Sequence, residues 1–254
     1  MKEITLLQVD ISRIIIVYVI QGVVAIYFSI MAYQIIRRRR QRLNIIFGAF
    51  FISVCIGNVL NMIYAVIPLH LVLIIEILHL LTLFFIFFSI IFIPIVNMII
   101  LESTLIYSVK RQNRHIILYG FLLFFGMLLL LIIQEIFGLD WIGFEIDKLS
   151  GYPRWGPIFF LYITLITFGF GVIPIISTNW KIYKSFEAGE LKRKWRFYFI
   201  GSLGVFSVAY SIMIANSLRY FGVLWFSAVI SFAGISIVLW AQLMYYGIGS
   251  KLKK

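Results

Sequence analysis

Glu76–Glu102 reads EILHLLTLFFIFFSIIFIPIVNMIILE, and the 25 residues between its two carboxylates include no Asp, Glu, Lys or Arg. At about 1.5 Å of rise per residue, a helix of that length crosses a hydrocarbon layer about 30 Å thick. A carboxylate at mid-bilayer costs several kcal/mol, so Glu76 and Glu102 read as markers of the two interfaces. The full apolar run, Leu71–Tyr107, is longer than a membrane needs and is expected to overhang it, mostly on the outside. Pro94 removes one backbone hydrogen bond and predicts a kink.

Six more runs flank this one: Arg13–Ile36, Leu43–Val66, His115–Gly138, Gly156–Trp180, Arg196–Leu218 and Phe221–Gly247. Hydrophobic residues make up 63% of the 254 and charged ones 13%, whereas a soluble domain is nearer one half and one quarter. The expectation is therefore an all-α membrane protein: one domain, a seven-transmembrane helix bundle, multi-pass in a prokaryotic cell membrane. Short links between spans, among them Val109–Arg114 and Ser185–Trp195, make sequential helices antiparallel neighbours. The longest link is Leu139–Trp155, LDWIGFEIDKLSGYPRW. The segment before the first run holds Glu3 and Asp10 against Lys2, so it lacks the basic start of a cleaved signal.

The net charge of +12 is not a nucleic-acid footprint, because its distribution has a topological explanation. With the N-terminus outside, 17 of the 22 Lys and Arg residues fall in inner strips: 37–42, 110–114, 181–196 and 251–254. This bias sets N-terminus out and C-terminus in, and it suits contact with anionic lipid. Cys55 is the only cysteine, which leaves no intrachain disulfide and no cysteine cluster for a metal.

Polar residues within the runs are few. Glu76 and His79, three apart, share a helical face. Gln134 and Glu135 lie at similar depth, Arg219 ends span six, and Asp140, Glu145, Asp147 and Arg154 sit in the long link. Together they predict a polar outer rim able to meet a small ligand, or a set of interfacial groups paired among themselves. A zinc site from His70, Glu76, His79 and Glu135 is a weaker option, and a di-iron site lacks its second Glu-x-x-His pair. Asn58, Asn61, Asn97, Thr164 and Thr167 read either as interhelical glue or as the lining of a central cavity. Gly169, Gly171 and Pro174 predict a hinge in span five, and Gly204, Ser207, Ser211 and Ala215 form a small-residue stripe on span six. No nucleophile–base set, phosphate loop or span-seven lysine is present, so no catalytic activity and no cofactor are expected.

Trp155-Gly156-Pro157-Ile-Phe-Phe-Leu-Tyr162, the strip Lys192-Arg-Lys-Trp-Arg196 and the ending Met244-Tyr-Tyr-Gly-Ile248 carry a resemblance. The chain resembles the seven-helix N-terminal sensor region of prokaryotic histidine kinases. In that family a Gly-Pro with aromatics opens span five, and a tyrosine-rich end of span seven leads into signalling domains. The sequence through Lys254 contains no such domain, so the resemblance implies a sensor or receptor-like module that signals through a separate partner. A small-molecule transporter and a structural subunit are the alternatives, and a second copy of the chain is a further candidate partner.

Overall fold

The computed structural model describes residues 17–38, 41–147, 151–187, 189–223, 229–230 and 234–249. Among them, six helices are long and apolar enough to cross a membrane: α1 Val17–Arg38, α2 Arg42–Ala65, α3 (72–106), α4 Val109–Phe137, α5 Pro157–Ser185 and α6 Glu190–Tyr220. A shorter apolar helix, α7 Gly234–Ile248, follows. The expected span Phe221–Gly247 falls partly outside the described residues, as do the start of Arg13–Ile36 and Arg39–Arg40.

α3 runs through the middle of the bundle, in contact with α2, α4 and α5. Between 78 and 100 none of its residues is exposed, so that stretch has no polar face to present. It is not one regular helix. Val72–Phe88 and Phe92–Ile106 are joined by a tight 3₁₀ turn, Ser89–Ile91. Pro94 supplies the cause: it has no N–H for the carbonyl of Ile90, so the chain tightens there.

α5 repeats this logic. Pro157 sits in its first turn, where a missing N–H costs nothing. Pro174 cannot bond the carbonyl of Phe170, and the preceding Phe168–Val172 is wound as a π turn. The expected hinge at Gly169–Pro174 is therefore a defined wide turn. It packs on the tight turn of α3: a Cβ on Gly171 would lie 2.3 Å from Ile90 Cγ2.

Several boundaries differ from the sequence expectation. The expected link Val109–Arg114 is already helical, with Ser108 as N-cap accepting from the Arg111 N–H at 3.4 Å. The expected link Ser185–Trp195 is helical from Glu190. Lys, Arg and Gln are good helix formers, so charge there marks the membrane surface rather than a helix end. The small-residue stripe on α6 is shifted. A Cβ on Gly201 would meet the Met244 nitrogen and Trp240 oxygen at 2.6 Å, and one on Gly204 would meet the Trp240 ring at 2.2 Å. The close approach to α7 thus uses Gly201 and Gly204, while Ser207 is exposed.

The described basic residues of strips 37–42, 110–114 and 181–196 gather at one end, and 251–254 lies outside the described residues. Arg38 donates to the Tyr245 hydroxyl, Arg42 donates to Gln112 and Asn113, and Lys194 lies over the Tyr246 ring. At this end burial pushes the Tyr107 hydroxyl above the usual phenol range, with nearby Arg111 opposing the shift and Glu102 adding to it. That hydroxyl lies 2.7 Å from His115 Nδ1.

Candidate functional site

The opposite end is closed by the longest link. Gly138, at φ +62°, stops α4 in the left-handed conformation that favours glycine. Six to seventeen residues on, the chain forms a two-stranded antiparallel hairpin absent from the all-helical expectation: β1 Phe144–Ile146 and β2 Pro153–Trp155. Phe144 pairs with Trp155, Glu145 with Arg154 and Ile146 with Pro153. Strand alternation turns Phe144, Ile146, Pro153 and Trp155 inward and leaves Glu145 outward. A Cβ on Gly156 would lie 2.4 Å from the Trp141 carbonyl oxygen, so only glycine lets the strand pass into α5 there.

Trp155 is the plug. It is fully buried, with Phe159 at 5.4 Å and Phe87 at 6.1 Å between ring centroids. Its indole N–H donates to His79 Nε2 at 3.4 Å, and His79 Nδ1 lies 3.2 Å from the Tyr64 hydroxyl. An indole nitrogen only donates, so Nε2 accepts and the ring proton sits on Nδ1, directed at the Tyr64 oxygen. Phe144 and Tyr64 add edge-on ring contacts to the imidazole at 4.8 and 5.5 Å. A chain of polar contacts thereby joins α2, α3 and the hairpin in one buried knot.

The rim residues named from sequence separate into two sets. His79 and Arg219 are buried at 3% and 7% exposure, whereas Glu76 is half-buried and Glu135 exposed. The shared helical face of Glu76 and His79 therefore does not form a joint ligand pair: the imidazole points into the aromatic knot, and both its nitrogens are engaged. Arg219 stacks on the Tyr152 ring, 3.9 Å from its centroid, which ties α6 to the hairpin. Arg154 pairs with Asp147 at 3.1 Å across the hairpin ends. Gln134 donates to the Phe144 carbonyl at 3.2 Å and so anchors β1 to α4. Glu76 has Glu135 and Glu145 as its charged neighbours.

Trp155, Tyr64, Phe144 and Tyr152 were not singled out as site residues. For Phe144, Tyr152 and Trp155 the signal is the aromatic and glycine content of the long link, whereas Tyr64 lies within an apolar run that does not mark it. His70 is exposed, and no three His, Cys, Asp or Glu side chains converge to hold a metal among the described residues.

The candidate cavity liners behave unequally. Asn97, fully buried, donates to Thr178 Oγ1 at 3.0 Å and accepts from the Tyr198 hydroxyl at 2.9 Å, joining α3, α5 and α6. Thr167 donates to its own helix at the Ile163 carbonyl and meets the Tyr210 hydroxyl of α6 at 2.9 Å. Asn58 bonds its own helix at the Val54 carbonyl, Asn61 is half-exposed, and Thr164 Oγ1 has no hydrogen-bond partner among the described residues. Asn97 and Thr167 are thus the interhelical links of this set.

No protein-family model, curated protein or solved structure matches the chain. The fold itself defines the class: a helical, multi-pass membrane protein whose apolar helices contact the bilayer.

Proposed function

We propose that the chain is a receptor- or sensor-like seven-helix protein of a cell membrane, with its hairpin end outside and its basic end in the cytoplasm. A small ligand at the hairpin, near Glu76, Glu135, Glu145 and Arg154, shifts the seating of the plug, and the bundle conveys that shift to a partner at the basic end. The observation that carries this reading is the Trp155–His79–Tyr64 knot: the one long link is bonded into the helices it covers rather than lying over them. Two non-α turns, 89–91 and 168–172, meet halfway down and offer the helices a place to bend. A ligand acts only through different affinities for the two seatings.

Releasing the plug by Trp155→Ala mimics a shifted seating without needing the ligand. Spin labels at positions 106 and 185, in a Cys55→Ser background, report the separation of α3 and α5 at the basic end. The reading expects the distance distribution to move by about 2 Å or more. An unchanged distribution in a folded variant contradicts coupling between the ends and returns the hairpin to a purely structural role.

A further inference from the structure

At the basic end, α1 and α2 enclose a groove of about 520 Å³ on the bundle surface. Ala32, Ile36, Ile52 and Ile56 form its apolar wall, with Cys55 among them. Tyr33 and Arg37 belong both to this groove and to a second recess of about 330 Å³, which Arg38 and Tyr245 complete. The two adjoin at these side chains, the larger lined mainly by apolar residues and the smaller carrying both Arg37 and Arg38. No carboxylate lines either part among the described residues.

The cations are held in place. Arg37 donates to the Tyr33 hydroxyl at 3.2 Å, and Arg38 donates to the Tyr245 hydroxyl and stacks on that ring at 4.9 Å. Each guanidinium carries five N–H groups, so both retain donors in the geometry that suits a phosphate. We infer that the groove and recess together bind one phospholipid with an anionic headgroup, its phosphate between Arg37 and Arg38 and an acyl chain along Ile36, Ile52 and Ile56. An apolar wall adjoining paired cations complements an amphiphile with an acidic head. A soluble anion would leave the apolar wall unused. The inference rests on the membrane fold and not on the sensor reading.

The test uses the full chain in detergent with equal amounts of phosphatidylglycerol and phosphatidylcholine of matched acyl chains. Native mass spectrometry counts the retained lipids. One phosphatidylglycerol is expected per chain, with a preference of about tenfold over phosphatidylcholine. Arg37→Gln with Arg38→Gln removes that preference, while Lys181→Gln with Lys184→Gln at the same end leaves it. Ile52→Trp fills the apolar wall with both charges intact and expels the lipid. Cys55, the chain's single cysteine, reports independently: maleimide labelling is slower with phosphatidylglycerol than with phosphatidylcholine. Equal loss in the lysine variants marks diffuse attraction and overturns the inference. So does retention in Ile52→Trp, unequal lipids leaving Cys55 labelling unchanged, or displacement by free glycerol phosphate as effective as by the lipid.

Discussion

Trp155 fills the mouth of the bundle and also donates the hydrogen bond that orients His79, and substitutions separate the two roles. Trp155→Ala removes ring contacts with Phe87 and Phe159 and is expected to cost about 3–5 kcal/mol. Trp155→Phe keeps most of the packing but leaves Nε2 of a buried imidazole without its donor, at about 1–3 kcal/mol. Denaturant unfolding of the detergent-solubilised chain measures both, and a Trp155→Phe variant as stable as the parent chain would contradict a hydrogen-bonding role. At the other end, Tyr107 gives a pH dependence. The folded state holds its phenol proton more tightly than the unfolded chain, because burial disfavours the phenolate. Its contribution to stability is therefore full below the ordinary phenol value of 10.0 and is lost as pH climbs through the raised one. Tyr107→Phe is expected to flatten the alkaline loss of stability relative to the parent chain. The same steepness in both chains would show that Tyr107 does not contribute.

Among the elements, the meeting of two proline-induced turns is the feature with consequences. Ile90 of α3 occupies the space that a side chain on Gly171 of α5 would need. Gly171→Leu is expected to destabilise by about 1–3 kcal/mol through overpacking, and Ile90→Ala on the same chain to restore much of it. Strictly additive effects in that double-mutant cycle would contradict the contact. Much at this scale was readable in advance. Pro94 and the Gly169–Pro174 segment announced the irregular turns, and Trp155-Gly156-Pro157 announced the start of α5. Strands of three residues, however, are too short for an alternation pattern to stand out, so the hairpin was not foreseen. Helix boundaries at Val109–Arg114 and Glu190–Trp195 differ from the expectation because charged residues there continue the helix past the membrane surface.

At the level of the whole molecule, the apolar runs and the basic strips gave away the membrane class and the common end of the strips, because both follow from the solvent rather than from particular contacts. The candidate site was legible only in part. His79 and Arg219 were chosen as polar residues near an interface, yet their partners Trp155 and Tyr152 lie 76 and 67 positions away, and nothing local marks such pairings. Asn97 was likewise visible as a polar group within an apolar run, but its bonds to Thr178 and Tyr198 depend on how three helices are set together. Orientation remains the claim on which an external ligand depends. In a Cys55→Ser background, Asp140→Cys near the hairpin and Glu187→Cys in the link before α6 are to be labelled in intact cells with a membrane-impermeant maleimide. The account predicts that position 140 reacts at once and position 187 only after the membrane is permeabilised. Reaction at 187 in intact cells, with 140 protected, would contradict it.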